Sequence, residues 1–185
     1  MKKRSFFVIG LFLLSIAFSA NARAQTKADD KKSARVFVQK FYDWYMVLFD
    51  QDDPPKKGQL SSQQIVMKHS REFLSDTLRQ ALETYYRMPS KNDDIGLDFD
   101  PFANAQDTGY GYQTGNVKQA GNVFWVDVRD GKKGQPQKAI LAADLILTAE
   151  VIKERGHWVI ANLIYPAGKN KTNLLDLLKD QQKSS

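Results

Sequence analysis

Cysteine is absent from this 185-residue chain, which removes disulfides, thiolate metal sites, thiol nucleophiles and redox chemistry together. Histidine is nearly absent too. His69 and His157 are the only two, they stand far apart, and neither accompanies a serine-and-acid arrangement or a Gly-x-Ser-x-Gly elbow. That excludes a zinc set and a hydrolase triad. Phosphate-cradling glycine loops are missing as well: Gly109-Tyr110-Gly111-Tyr112 is short and leads toward a strand rather than a helix. No internal repeat, low-complexity tract or basic stripe of the nucleic-acid-binding kind is present. The sequence therefore carries no catalytic set, no metal site and no cofactor motif.

What the chain does have is a pronounced amino terminus. Lys2-Lys3-Arg4 precedes an apolar run from Phe6 to Phe18, and Ala22-Arg23-Ala24 follows. A cationic start, a hydrophobic middle and a small-x-small site are the three parts of a secretory signal peptide. The run is short for a membrane span. With no cysteine at the cut there is no thiol for a lipid anchor. The expectation is a signal at 1–24, a flexible leader at 25–32 and one domain at 33–185, soluble in the periplasm of a Gram-negative cell and not membrane-anchored. The charge agrees. Lys2, Lys3, Arg4 and Arg23 are four of the 27 basic residues, so cleavage leaves 23 against 21 acids, and the basic balance of the whole chain belongs largely to the targeting segment. A near-neutral remainder speaks against nucleic acid as a partner.

Beyond the leader, helical periodicity comes first. From Phe37, at 100° per residue, Phe41, Trp44 and Leu48 fall within about 40°, and Val38, Tyr42, Tyr45 and Phe49 widen the apolar stripe beyond what one packing partner covers. Asp50 to Pro55 closes this helix. Ser61 or Ser62 caps a short second helix, and Ser75 opens a third through Arg87 with Leu78, Leu82 and Tyr85 on one face. Period two then takes over. Strands are expected at Tyr110–Lys118, Val123–Arg129, Ala139–Lys153 and His157–Tyr165, with a turn at Glu154-Arg155-Gly156 and a last helix capped by Thr172. The class is α+β: N-terminal helices packed on a curved antiparallel sheet of about four strands.

Several strings together resemble a known family: Phe41-Tyr42-x-Trp44-Tyr45, Phe73-Leu74-Ser75-x-x-Leu78, Asp98-Phe99-Asp100-Pro101-Phe102, Ala105-Gln106-Asp107 and the closing Gly156-x-Trp158-x-Ile160-x-Asn162. They are similar to small exported bacterial proteins classified as a domain of unknown function. The resemblance implies a nuclear transport factor 2-like, or cystatin-like, fold and leaves activity open. Lipoprotein members carry a lipidated cysteine that this chain lacks.

The most unusual string is also the candidate site. Asp98, Asp100 and Asp107 lie on an expected loop with Phe99, Phe102 and Gln106. Their spacing does not follow the twelve-residue calcium loop. Two expectations compete. In one, Asp98, Asp100, Phe102, Gln106 and Asp107 form a binding surface, with aromatics anchoring a stiff turn and carboxylates facing outward. In the other, Asp100 accepts backbone amides near Pro101 and the loop is a brace. Asp127, Asp144 and Glu150 on strands, with Asp100 near the rim, are the carboxylates suited to acid–base work if buried. Function divides likewise. A non-enzymatic periplasmic binding module, an envelope adaptor or immunity-type protein with an envelope protein as partner, stands against a small enzyme or ligand carrier using a cone-shaped pocket.

Overall fold

The computed structural model describes residues 7–49, 60–88, 97–106, 111–167 and 170–184, with side chains at 28–49, 60–88, 97–106, 111–166 and 172–183. Among the described residues, six helices and five strands run in the order α1 (Phe7–Phe49), α2 (Ser62–Lys68), α3 (Ser70–Phe73), α4 (Asp76–Arg87), β1 (Tyr112–Ala120), β2 (Val123–Asp130), α5 (Gln137–Ala142), β3 (Leu145–Glu154), β4 (His157–Ala167), β5 (Asn170–Asn173) and α6 (Leu174–Ser184). The strands form one antiparallel sheet in sequence order, β1-β2-β3-β4-β5. Among the described residues no helix is long and apolar enough to cross a membrane.

Local chemistry explains most boundaries. Ser61 and Gln64 form a reciprocal capping box at α2, and the Ser75 hydroxyl accepts from the Leu78 amide at α4. At the β3–β4 turn Arg155 and Gly156 both take positive φ, +51° and +84°, as a two-residue hairpin requires when Glu154 pairs with His157. In β2, Phe124, Val126 and Val128 are buried while Trp125, Asp127 and Arg129 take the opposite face. The core forms where that apolar face and its continuation in Leu147, Ala149, Val151, Ile160 and Leu163 meet Val38, Phe41, Tyr42 and Tyr45 of α1.

Four expectations are corrected. The sheet has five strands, because Asn170–Asn173 pairs with the end of β4 although its polar residues show no alternation. Residues 139–142 are helical rather than the start of a long strand: Pro136 sets the first turn, with its carbonyl accepting from Ala139 and Ile140 amides, and β3 begins only at Leu145. The cap of α6 is Asn173, not Thr172, since its side-chain oxygen accepts from the Asp176 amide at 3.0 Å. Residues 25–32, expected as a leader, lie within the continuous α1, where Asp30 meets Lys153 at 2.6 Å and the Trp158 indole donates to Ser33 at 3.1 Å. The expected helix stops at Asp50–Pro55 and Pro89 lie outside the described residues.

Candidate functional site

The segment 97–106 is built around one carboxylate. Asp100 is 5% exposed, and its Oδ1 accepts from the backbone amides of Phe102 at 2.8 Å and Ala103 at 2.9 Å. Its Oδ2 accepts from the Tyr45 hydroxyl and from Gln63 Nε2, the latter at 2.8 Å. The backbone closes on itself as well, Asp100 N to Ala105 O at 3.0 Å and Asn104 N to Asp100 O at 2.8 Å. The next three carbonyls each take a tyrosine hydroxyl from a different element. Tyr165 of β4 donates to Pro101 O at 2.8 Å, Tyr42 of α1 to Phe102 O at 3.0 Å, and Tyr112 of β1 to Ala103 O at 2.9 Å. Helix, sheet and loop are thereby tied at four consecutive residues.

Burial governs the electrostatics. It pushes the Asp100 carboxyl above the ordinary aspartate range, although the donors from Tyr45, Ala103, Gln63 and Phe102 all pull the other way. Burial also raises Tyr45 well above the usual phenol range, and the neighbouring Asp100 charge adds to this. Tyr42 and Tyr165 rise chiefly for the same reason. The rings fill the space around the loop: Phe41 stacks on Tyr45 at 5.6 Å, Tyr42 on Tyr112 at 5.4 Å, and Phe102 meets Tyr45 at 5.4 Å.

The expectation that Asp100 faces outward is therefore corrected, and Phe102 is a core side chain rather than an exposed anchor. The physical reason is the supply of donors: two amides, a phenol and a carboxamide converge where the sequence shows only an acid between aromatics. Asp98 and Gln106 remain exposed and are joined, Gln106 Nε2 donating to the Asp98 carbonyl at 2.7 Å. Asp107 lies outside the described residues.

Beside Gln106 the surface opens into a cleft of about 360 Å³ whose walls are Asn104 and Ala105 on the loop and Asp130, Asp144, Leu145 and Ile146 at the ends of β2 and β3. Asn104, at φ +51°, reaches across to donate to Ile146 O at 2.8 Å, and the Asp130 amide donates to Asp144 O at 2.9 Å. Asp130 Oδ1 is occupied by the Gly111 amide at 2.9 Å, while Asp144 is exposed. The cleft thus brings together Gln106 and Asp144. Asp127 and Glu150 are elsewhere, on the opposite sheet face, paired with Arg129 at 3.2 Å and the Trp125 indole at 3.0 Å. His69 meets Glu72 at 3.0 Å on the helical side, and His157 is exposed at the β4 hairpin. Among the described residues no group of three or more potential metal ligands occurs.

Sequence reasoning missed the tyrosine clamp. Tyr42, Tyr45, Tyr112 and Tyr165 read as core aromatics or as ligand contacts, and the signal that all four hydroxyls need a buried acceptor lies in their apolar surroundings. Comparison of the chain with protein-family models, with curated proteins and with solved structures finds no match.

Proposed function

We propose that this protein is an exported, non-enzymatic binding module of the periplasm, an envelope adaptor or immunity-type protein whose fold is of the nuclear transport factor 2-like, or cystatin-like, kind. The observation that carries this reading is the saturation of Asp100. A carboxylate that serves as acid or base needs a free position facing substrate, and Asp100 gives its oxygens to four internal donors. The space an enzyme or carrier of this architecture would use as a pocket holds Phe41, Tyr42, Tyr45 and Phe102, all buried. What faces outward is a concave surface of mixed character, with Gln106 and Asp144 beside Leu145 and Ile146 in its wall and Asp98 joined to Gln106, and this suits a segment of an envelope protein that presents both polar and apolar groups. The signal-like amino terminus supplies the address, and the family resemblance supports the fold.

Affinity capture from an envelope extract tests this. The variant Gln106→Glu/Asp144→Lys alters the cleft without touching the core. It is expected to lose the captured partner while its stability changes by no more than about 0.5 kcal/mol, as surface substitutions do. Undiminished capture by that variant, or turnover of a small molecule that Asp100→Asn abolishes, overturns the reading.

A further inference from the structure

A second cleft, away from the loop, has the opposite charge. It measures about 370 Å³ and lies between the middle of α1 and β1, with α5 at its end. Lys31, Lys32 and Arg35 form one wall, Asn116 and Val117 another, and Leu141 the apolar end. The three cations fall within an arc of about 100° on the helix. No acidic side chain lines the cleft, and none of the three cations has a hydrogen-bond or ion-pair partner among the described residues. Asp30, next to them, is held by Lys153 at 2.6 Å. Asp29 is about 160° and 120° around the helix from Lys31 and Arg35, and about 60° from Lys32, one turn before it.

The cleft has a local structural cause. One turn beyond Arg35, Gln39 holds β1 closely: its Oε1 accepts from the Thr114 amide at 2.8 Å and its Nε2 donates to Tyr112 O at 3.0 Å. Past Thr114 the β1–β2 register shifts before Val117, and the cleft opens there. Three unpaired cations around one concavity repel each other, so a ligand that neutralises them gains more than one charge–charge attraction. A single carboxylate matches them poorly, whereas a phosphomonoester or pyrophosphate offers more charge and more acceptor oxygens on one group, and neighbouring phosphodiester heads at a lipid surface offer several charges side by side. Apolar surface adjoins the charge: Leu141 is 38% exposed, and Val36 on the same helix is 58% exposed.

We infer that this cleft binds a phosphate group, carried by a free phosphate compound or by a phospholipid head at a membrane surface. The test uses the protein as recovered from expressing cells. Its probes are inorganic pyrophosphate and vesicles of phosphatidylglycerol, with vesicles of phosphatidylcholine, a zwitterion of no net charge whose phosphate is paired with its own ammonium, as the control. The expected result is binding to at least one anionic probe in excess of the control, weakened by added salt. Lys31→Gln/Lys32→Gln/Arg35→Gln should bind at least about tenfold more weakly. Its far-ultraviolet dichroism and melting temperature should match the parent, and Lys31→Arg/Lys32→Arg should retain binding. Binding of pyrophosphate identifies a free phosphate compound, and binding of anionic vesicles alone identifies a lipid head. No binding to either anionic probe, or equal binding by the glutamine variant, overturns the inference. Both results are independent of the cleft at Gln106.

Discussion

At the scale of single residues, Asp100 decides between a brace and a site. Asp100→Ala removes the acceptor from two backbone amides, a phenol and a carboxamide, three of them buried. Stranded buried donors cost roughly 1–3 kcal/mol each at most, and relaxation recovers part of that, so a total loss of about 3 kcal/mol in urea unfolding is expected. The pH dependence has a definite sign. Burial raises the Asp100 carboxyl in the folded state, so the folded chain holds that proton more tightly than the unfolded chain does. The resulting stability is fully present below the ordinary aspartate value of about 3.9 and is lost as pH rises through the folded value. Asp100→Asn keeps an acceptor for the two amides but cannot ionise. Its stability deficit relative to the parent should therefore shrink as pH rises through that window. A deficit that grows with pH would mean the four donors outweigh burial. The sequence did show that Asp100 stood beside a proline and between aromatics, enough to raise the brace. It gave no hint of Gln63, which is 37 residues away along the chain.

At the scale of elements, legibility followed periodicity. The apolar stripe of α1 was plain because Val38, Phe41, Tyr42 and Tyr45 repeat at helical spacing, and all four are buried. The alternation in β2 and the Arg155-Gly156 turn were equally plain. Residues 139–142 misled because Ala-Ile-Leu-Ala is apolar without period, so it reads as a continuation of β3, and only Pro136 marks a separate helical turn. Strand β5 was invisible because backbone pairing alone defines it. The edge of β1 carries a device that no pattern reveals. Gln39 presents its carboxamide to Tyr112 O and Thr114 N as a neighbouring strand would, and a third bond comes from the Thr114 hydroxyl at 3.1 Å. Capping an edge in this way blocks further pairing there. Gln39→Ala should cost about 1–2 kcal/mol and should accelerate hydrogen exchange at the Thr114 amide far more than at residues in the β2–β3 ladder. Unchanged exchange at Thr114 would show that the contact contributes nothing to that edge.

At the scale of the whole molecule, the signal-like segment and the folded domain share one helix. The signal-like sequence ends at Ala24, and α1 runs through it from Phe7 to Phe49. The packed part of α1 starts later: Asp30 and Ser33 tie to the β3–β4 hairpin, and Ala34, Val38, Phe41, Tyr42 and Tyr45 enter the core. A cut after Ala24 leaves every one of those contacts in place. It also removes four positive charges, so the cation cluster at Lys31, Lys32 and Arg35 then lies close to the new amino terminus. Intact-mass and amino-terminal measurement of the protein from a periplasmic extract should therefore give a chain beginning at Gln25, directly or as its cyclised form. The melting temperature of that chain should lie within about 2 °C of the temperature for one begun artificially at Lys27, since both starts keep the contacts of Asp30, Ser33 and Ala34. A retained Met1 or an added acyl chain would contradict the export reading. A large loss of stability on trimming from Gln25 to Lys27 would instead place those first residues within the folded unit.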